Sequence, residues 1–286
     1  MKLKRGFLSP AARRYRERMA SSSHRMFAVV TGASSGIGYE LAREFARNGF
    51  DLLIAAEDPG IMDAAKNIEN LGASVLPFQV DLATYEGVEA LYGKIKSTER
   101  LVDAIAINAG VGVGGDFARA TSLQAELDLI NLNVTSSVHL AKRVVKDMVD
   151  RGHGRILFTS SIAATMPAPF EAVYGASKAF LLSFSEALGN ELKGTGVTVT
   201  ALMPGATETN FFHRASMDDT KVGASQKDDP AEVARDGFEA LMAGEDKVIA
   251  GSFKNKLQGG LGSRILPKTV KAELHRKQAE PGSANR

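Results

Sequence analysis

MFAVVTGASSGIG, residues 26–38, decides how this chain folds. A short β-rich run ends in a loop carrying Gly32, Gly36 and Gly38, and a helical pattern begins at once over 37–48. Glycine lets a backbone turn tightly and approach a ligand with no Cβ in the way. The helix that follows presents free N–H groups and a positive dipole end, which suit a pyrophosphate. The spacing is G-x-x-x-G-x-G. Strand-to-helix turns often need glycine for their own geometry, so the loop gains meaning only from what surrounds it.

Further β-rich runs follow: DLLIAA (51–56), SVLPFQV (74–80), DAIAIN (103–108), RILFTS (155–160), VTVTALM (197–203) and KVIAG (247–251). Their near-continuous apolar character is what strands covered by helices on both faces require. Helical patterns lie between them at roughly 61–70, 84–97, 121–150, 172–193 and 230–243, the last opening with Asp229 as N-cap and Pro230 in the first turn. Strict alternation of strand and helix predicts a doubly wound α/β fold with a mostly parallel sheet. No repeat and no Pro/Gly/Ser linker divides residues 26–251, so one domain is expected there. Residues 252–286 read as a C-terminal extension, polar and frayed from about 271.

Composition narrows the classes. The chain has 286 residues, enough for a sizeable core, and no cysteine, which excludes disulfides, Cys metal sites and thiol nucleophiles. No apolar run reaches the ~18 residues of a membrane span. The net charge of +2 hides a basic arm: residues 1–25 carry +7, leaving −5 on the body, which is no surface for nucleic acid. The arm lacks the apolar core of a secretory signal, although its Arg-rich, acid-poor composition is like that of a transit peptide. A disordered extension of a cytoplasmic protein is the expected reading, with organellar targeting as the alternative.

Three strand ends add binding candidates. Glu57 lies 19 residues after Gly38, where a carboxylate bonds a ribose 2′-hydroxyl and repels a 2′-phosphate, so NAD is expected over NADP. Asp81 and Leu82 end the third strand, where Asp81 either bonds an adenine amine or caps the next helix. Asn108, Ala109 and Gly110 end the fourth, their small side chains leaving room for a cofactor. Tyr174 and Lys178, four apart, share one helix face. A nearby ammonium favours a phenolate and makes tyrosine a usable base. Ser161, at the end of the fifth strand, could hold a substrate oxygen.

Together these residues resemble a short-chain dehydrogenase/reductase over roughly 26–251: TGASSGIG (31–38), NAG (108–110), FTSS (158–161), YxxxK (174–178) and MPGATET (203–209) match that family's motifs. The resemblance implies a single-domain Rossmann-type sheet of about seven strands in the order 3-2-1-4-5-6-7. It implies an NAD(P)-dependent exchange between a secondary alcohol and a ketone or aldehyde. Tyr174 would be the general acid/base, Lys178 would tune it and bond the nicotinamide ribose, and Ser161 would hold the substrate oxygen. Asn133, preferred to its neighbour Asn131, would hold a water on a proton path through Lys178. Gly32, Ser34, Ser35, Gly36, Ile37 and Gly38 would cradle the cofactor, and Pro204, Gly205, Thr207 and Thr209 would line its nicotinamide. Pairing into homodimers or homotetramers through 121–150 and 172–193 is implied as well.

The expected substrate is small and moderately apolar, bordered by Met166, Pro167, Pro169, Phe170, Phe211, Phe212 and Met217; the same residues could instead pack on one another. Two other classes compete. One is a catalytically silent dinucleotide sensor, which Tyr174→Phe would separate from an enzyme. The other is an interaction protein working through residues 1–25, which deletion of that arm would reveal. Metal binding is not expected, since the histidines lack ligand spacing.

Overall fold

The computed structural model describes residues 25–251 and 267–285. Seven strands, β1 (Met26–Thr31), β2 (Phe50–Ala56), β3 (Val75–Gln79), β4 (Ala104–Ile107), β5 (Gly154–Thr159), β6 (Val197–Pro204) and β7 (Lys247–Ala250), form one sheet. Their order is β3-β2-β1-β4-β5-β6-β7, and every pairing is parallel. This is the expected doubly wound arrangement.

Side chains alternate across each strand, so both faces must be covered. Ala28, Val30, Leu52, Ile54 and Leu157 face one layer, made by α1 (Gly36–Arg47), α2 (Ile61–Glu69) and α9 (Pro230–Ala243). Phe45, Phe50 and Phe238 meet edge to face in that layer, with centroids 5.1, 5.2 and 6.4 Å apart. Val29, Leu53, Ile105, Ile156 and Phe158 face the other layer, made by α3 (Tyr85–Ser97), α5 (Ser136–Arg151) and α6 (Ala172–Glu191). Asp229 does cap α9, accepting the Ala231 N–H at 2.8 Å ahead of Pro230.

Two expectations change. The helix predicted over 121–150 is α4 (Leu123–Ile130) running through one π-helical turn, Asn131–Thr135, into α5. The fraying expected from about 271 is replaced by α10 (Lys268–Ala279) and a 3₁₀ turn at Ser283–Asn285. That helix is too polar to stand out by periodicity; it buries Lys271 and packs Ala279 against short helices α7 (Phe211–Arg214) and α8 (Lys221–Ala224) and the loops around them. The basic arm before Arg25 and most of the 252–267 segment lie outside the described residues. Among the described residues no helix is long and apolar enough to cross a membrane.

Candidate active site

The glycine loop, NAG, FTSS and MPGATET lie at the carboxyl ends of strands, Tyr174 and Lys178 lie in the first turns of α6, and together they line one cleft of about 560 Å³. The cleft crosses the sheet where the chain order departs from β1 toward β2 on one side and β4 on the other. Ligands bind open parallel sheets at that switch point. Of the residues expected to touch a cofactor, Gly32, Glu57, Asp81, Asn108, Thr207 and Thr209 all line it, as do the rest of the glycine loop, Leu82, Ala109, Gly110, Pro204 and Gly205. Asp81 does not cap the next helix: its carboxylate accepts the Ala83 N–H at 2.8 Å, in the turn before it. The helix cap itself is Thr84, which accepts from Gly87 at 3.0 Å.

A hydrogen-bonded chain ties these strand ends together. The N–H groups of Asn108 and Ala109 both donate to Thr31 Oγ1, at 2.9 and 3.0 Å. Asn108 Nδ2 returns a bond to the Thr31 carbonyl at 3.0 Å, and Thr159 Oγ1 donates to Asn108 Oδ1 at 3.0 Å. Lys178 Nζ then donates to the Thr159 carbonyl at 2.9 Å. Thr31 and Thr159 were not singled out in the sequence, because a threonine near a strand end carries no distinctive signal.

Tyr174 and Lys178 lie on the same face of α6, with Lys178 Nζ 5.6 Å from the tyrosine ring centre. Lys178 is buried, and burial lowers its ammonium to about 8. Burial pushes the Tyr174 phenol well above its ordinary value, helped by the Glu171 carboxylate and opposed by the Ser161 hydroxyl. The phenol is therefore protonated at neutral pH. The direction is opposite to the lowering expected from Lys178, because burial disfavours a charge on either group. Asn133 is fully buried in the π turn and does not line the cleft. Its Oδ1 accepts from Val111 N at 2.9 Å, and its Nδ2 donates to the Val111 carbonyl and to Ser177 Oγ. A Cβ on Gly110 would stand 3.0 Å from Asn133 Oδ1 and 3.3 Å from Lys178 Nζ, so glycine there lets the two approach. Asn131, the rival, is exposed.

The family assignment rests on sequence as well as on this geometry: residues 26–220 match the short chain dehydrogenase family. The chain belongs to the short-chain dehydrogenases. A short-chain type dehydrogenase/reductase of Sinorhizobium fredii is 35% identical over 70% of this chain and 76% of its own length. An NADP-dependent 3-hydroxy acid dehydrogenase of Salmonella typhi is 31% identical over 76% of this chain and 87% of its own. The structure of a short-chain dehydrogenase from Sphingobium yanoikuyae in complex with NADPH superposes with a TM-score of 0.73 at 30% identity, covering 78% of this chain and 87% of that one.

The dehydrogenase is thus an NAD(P)-dependent oxidoreductase, and its glycine loop fits the dinucleotide. A Cβ on Gly38 would lie 2.2 Å from the Gly32 carbonyl, so the loop closes onto α1 only with glycine there. Ser35 begins α1 without a side-chain cap, whereas Thr84, Ser122 and Asp229 cap theirs. The first N–H groups of α1 are left for an anion. Met166, Phe211 and Phe212 line the cleft as expected, while Phe170 and Met217 pack with Phe212 and Ala215. Lys271, Leu274, His275 and Gln278 also line it and were not foreseen.

The buried amine makes stability depend on pH in a particular direction. The folded-state value near 8 lies below the ordinary 10.5, so the charge costs stability below pH 8 and the cost fades between 8 and 10.5. In melts over that range, the stability of Lys178→Met minus that of the parent is expected to fall as pH rises, by up to about 3 kcal/mol. A difference that grows with pH would contradict the desolvated lysine.

Proposed function

We propose that the dehydrogenase interconverts a secondary alcohol and a ketone or aldehyde, with Tyr174 moving the proton at the substrate oxygen. The observation that carries this is a buried phenol held in its acid form, beside Ser161 and Lys178, in a cleft with an apolar flank. In the reducing direction Tyr174 Oη gives its proton to the carbonyl oxygen while the Ser161 hydroxyl steadies the same oxygen. A bound nicotinamide supplies or accepts the hydride. Lys178 would bond the ribose and return a proton to Tyr174, while Asn133, its amide committed to Val111 and Ser177, braces the turn behind the site and carries no proton. Met166 and Phe211 favour a moderately apolar substrate; the Phe211 ring lies 5.1 Å from that of Tyr174.

NAD is the proposed preference over NADP. Glu57 and Asp58 line the cleft at the end of β2, and the Lys and Arg residues that line it, Lys178, Arg214 and Lys271, belong to α6, α7 and α10. Carboxylates there repel a 2′-phosphate. The relative of known cofactor from Salmonella typhi is NADP-dependent, so this preference is a property proposed for this chain alone. Pairing between copies through α4 to α6 is proposed as well: Phe117, Ile130, Val134, Val173 and Phe180 line one apolar hollow, with Phe117 63% and Phe180 43% exposed.

Tyr174→Phe is expected to bind dinucleotide as the parent does and to lose turnover by about 10³-fold, measured on a panel of ketones and alcohols. Binding without turnover in the parent would favour the dinucleotide sensor instead. Fluorescence titration with NADH and NADPH is expected to show tighter NADH binding, and Glu57→Ala to narrow the gap; tighter NADPH binding in the parent would refute the role of Glu57. Phe180→Glu is expected to lower the mass measured by light scattering, and an unchanged mass would exclude that face as the contact.

A further inference from the structure

The family match ends at residue 220, yet one wall of the cleft comes from beyond it. Lys271, Leu274, His275 and Gln278 fall at i, i+3, i+4 and i+7 of α10, which is one helix face, and all four line the cleft that contains Tyr174. That face is mixed. Lys271 is buried, while Leu274 is 51% exposed although it points into the cavity. An apolar side chain left open to a cleft is a contact for an apolar ligand.

The wall is anchored at its middle and at its C-terminal end. His275 Nε2 meets Glu171 Oε2 at 3.0 Å, with the two side chains only 14% and 7% exposed. Glu171 stands three residues before Tyr174, at the start of α6, and Arg276 lies over the Phe170 ring at 4.9 Å. At the far end Ala279 packs with Phe212 and Met217. Beyond it Gly282 N and Ala284 N donate to Asp219 at 2.7 and 2.9 Å, and Lys221 N donates to Ser283 Oγ at 2.9 Å. Helix α10 thus bridges the two segments that flank the tyrosine, 166–171 and 211–222.

We propose that α10 is the substrate-selecting wall of this enzyme, and that the Glu171–His275 pair is the specificity-determining latch that sets its distance from Tyr174. The substrate it selects is a ketone or secondary alcohol whose apolar chain extends from the reacting carbon far enough to rest on Leu274. This rests on Tyr174 as the proton donor. Removing the latch lets α10 move away, so long substrates lose their contact while the proton-transfer groups stay in place.

The test uses the full chain, a series of methyl ketones from 2-butanone to 2-undecanone, and amide hydrogen exchange. In His275→Ala, exchange over 268–279 is expected to quicken about tenfold, as loss of one buried charge-assisted bond implies. KM for the longer ketones should rise about tenfold, with a smaller change in kcat, and His275→Gln, which can still donate to Glu171, should restore both. Leu274→Ala should raise KM for the long ketones without quickening exchange. Unchanged exchange in His275→Ala would refute the latch. Faster exchange with an unmoved KM profile would refute the wall. If the parent turns over none of these ketones, the proton-donor reading falls, and saturation-transfer NMR with 2-nonanone decides the wall separately: contact weakened in Leu274→Ala supports it, and contact unchanged overturns it.

Discussion

The site depends on one chain of hydrogen bonds, from Thr31 through Asn108 and Thr159 to Lys178. Parallel strands are held along their length by their ladders, but the ladders stop where the binding loops start. The last residues of β1, β4 and β5 would otherwise be free to splay. Asn108 prevents this by using its backbone N–H and both ends of its side-chain amide at once. The glycine loop, the NAG turn and the strand that delivers Ser161 therefore share one frame. Because the frame ends on Lys178, the dinucleotide end of the cleft and its proton-transfer end are positioned together.

Burial sets the character of the chemistry. A lysine and a tyrosine placed in a dry site both resist carrying charge, and here both shift in the direction that favours the neutral form. A neutral phenol is a proton donor that is ready when a carbonyl oxygen develops charge. A lysine near 8 can hand on a proton at little cost, which an exposed lysine near 10.5 could not do as easily. Glu171 adds to this balance, since it raises the phenol further and is itself held by His275 from α10. The π turn at Asn131–Thr135 serves the same region: it rotates Asn133 inward while leaving Asn131 on the surface.

Much of this was legible in advance. Parallel pairing followed from apolar runs alternating with helical patterns, because only a sheet covered on both faces tolerates such strands, while the strand order was implied by the resemblance to the family. The glycine loop and the strand-end motifs were legible because backbone turns and close approach demand particular small residues. Glu57 and Asp81 were found by spacing and do line the cleft, although Asp81 also serves a turn. Thr31, Thr159, Glu171 and His275 were not legible. Their partners lie 77, 51 and 104 residues away along the chain, and nothing local marks them.

The sequence by itself determined the layered α/β sheet, the position of each binding loop at a strand's end and the identity of the tyrosine–lysine pair. The first two are consequences of local rules, side-chain period and turn chemistry; the pair was marked by its place among the other motifs, since four-residue spacing alone is common in helices. Tertiary structure alone decided the direction of the tyrosine's shift, the commitment of both Asn133 groups to neighbours, and the docking of α10 against the cleft. Each of those depends on what surrounds a group from distant parts of the chain. Helix α10 is the plainest case, because a polar helix gains its place through one largely buried hydrogen bond and a few contacts with the segments it covers.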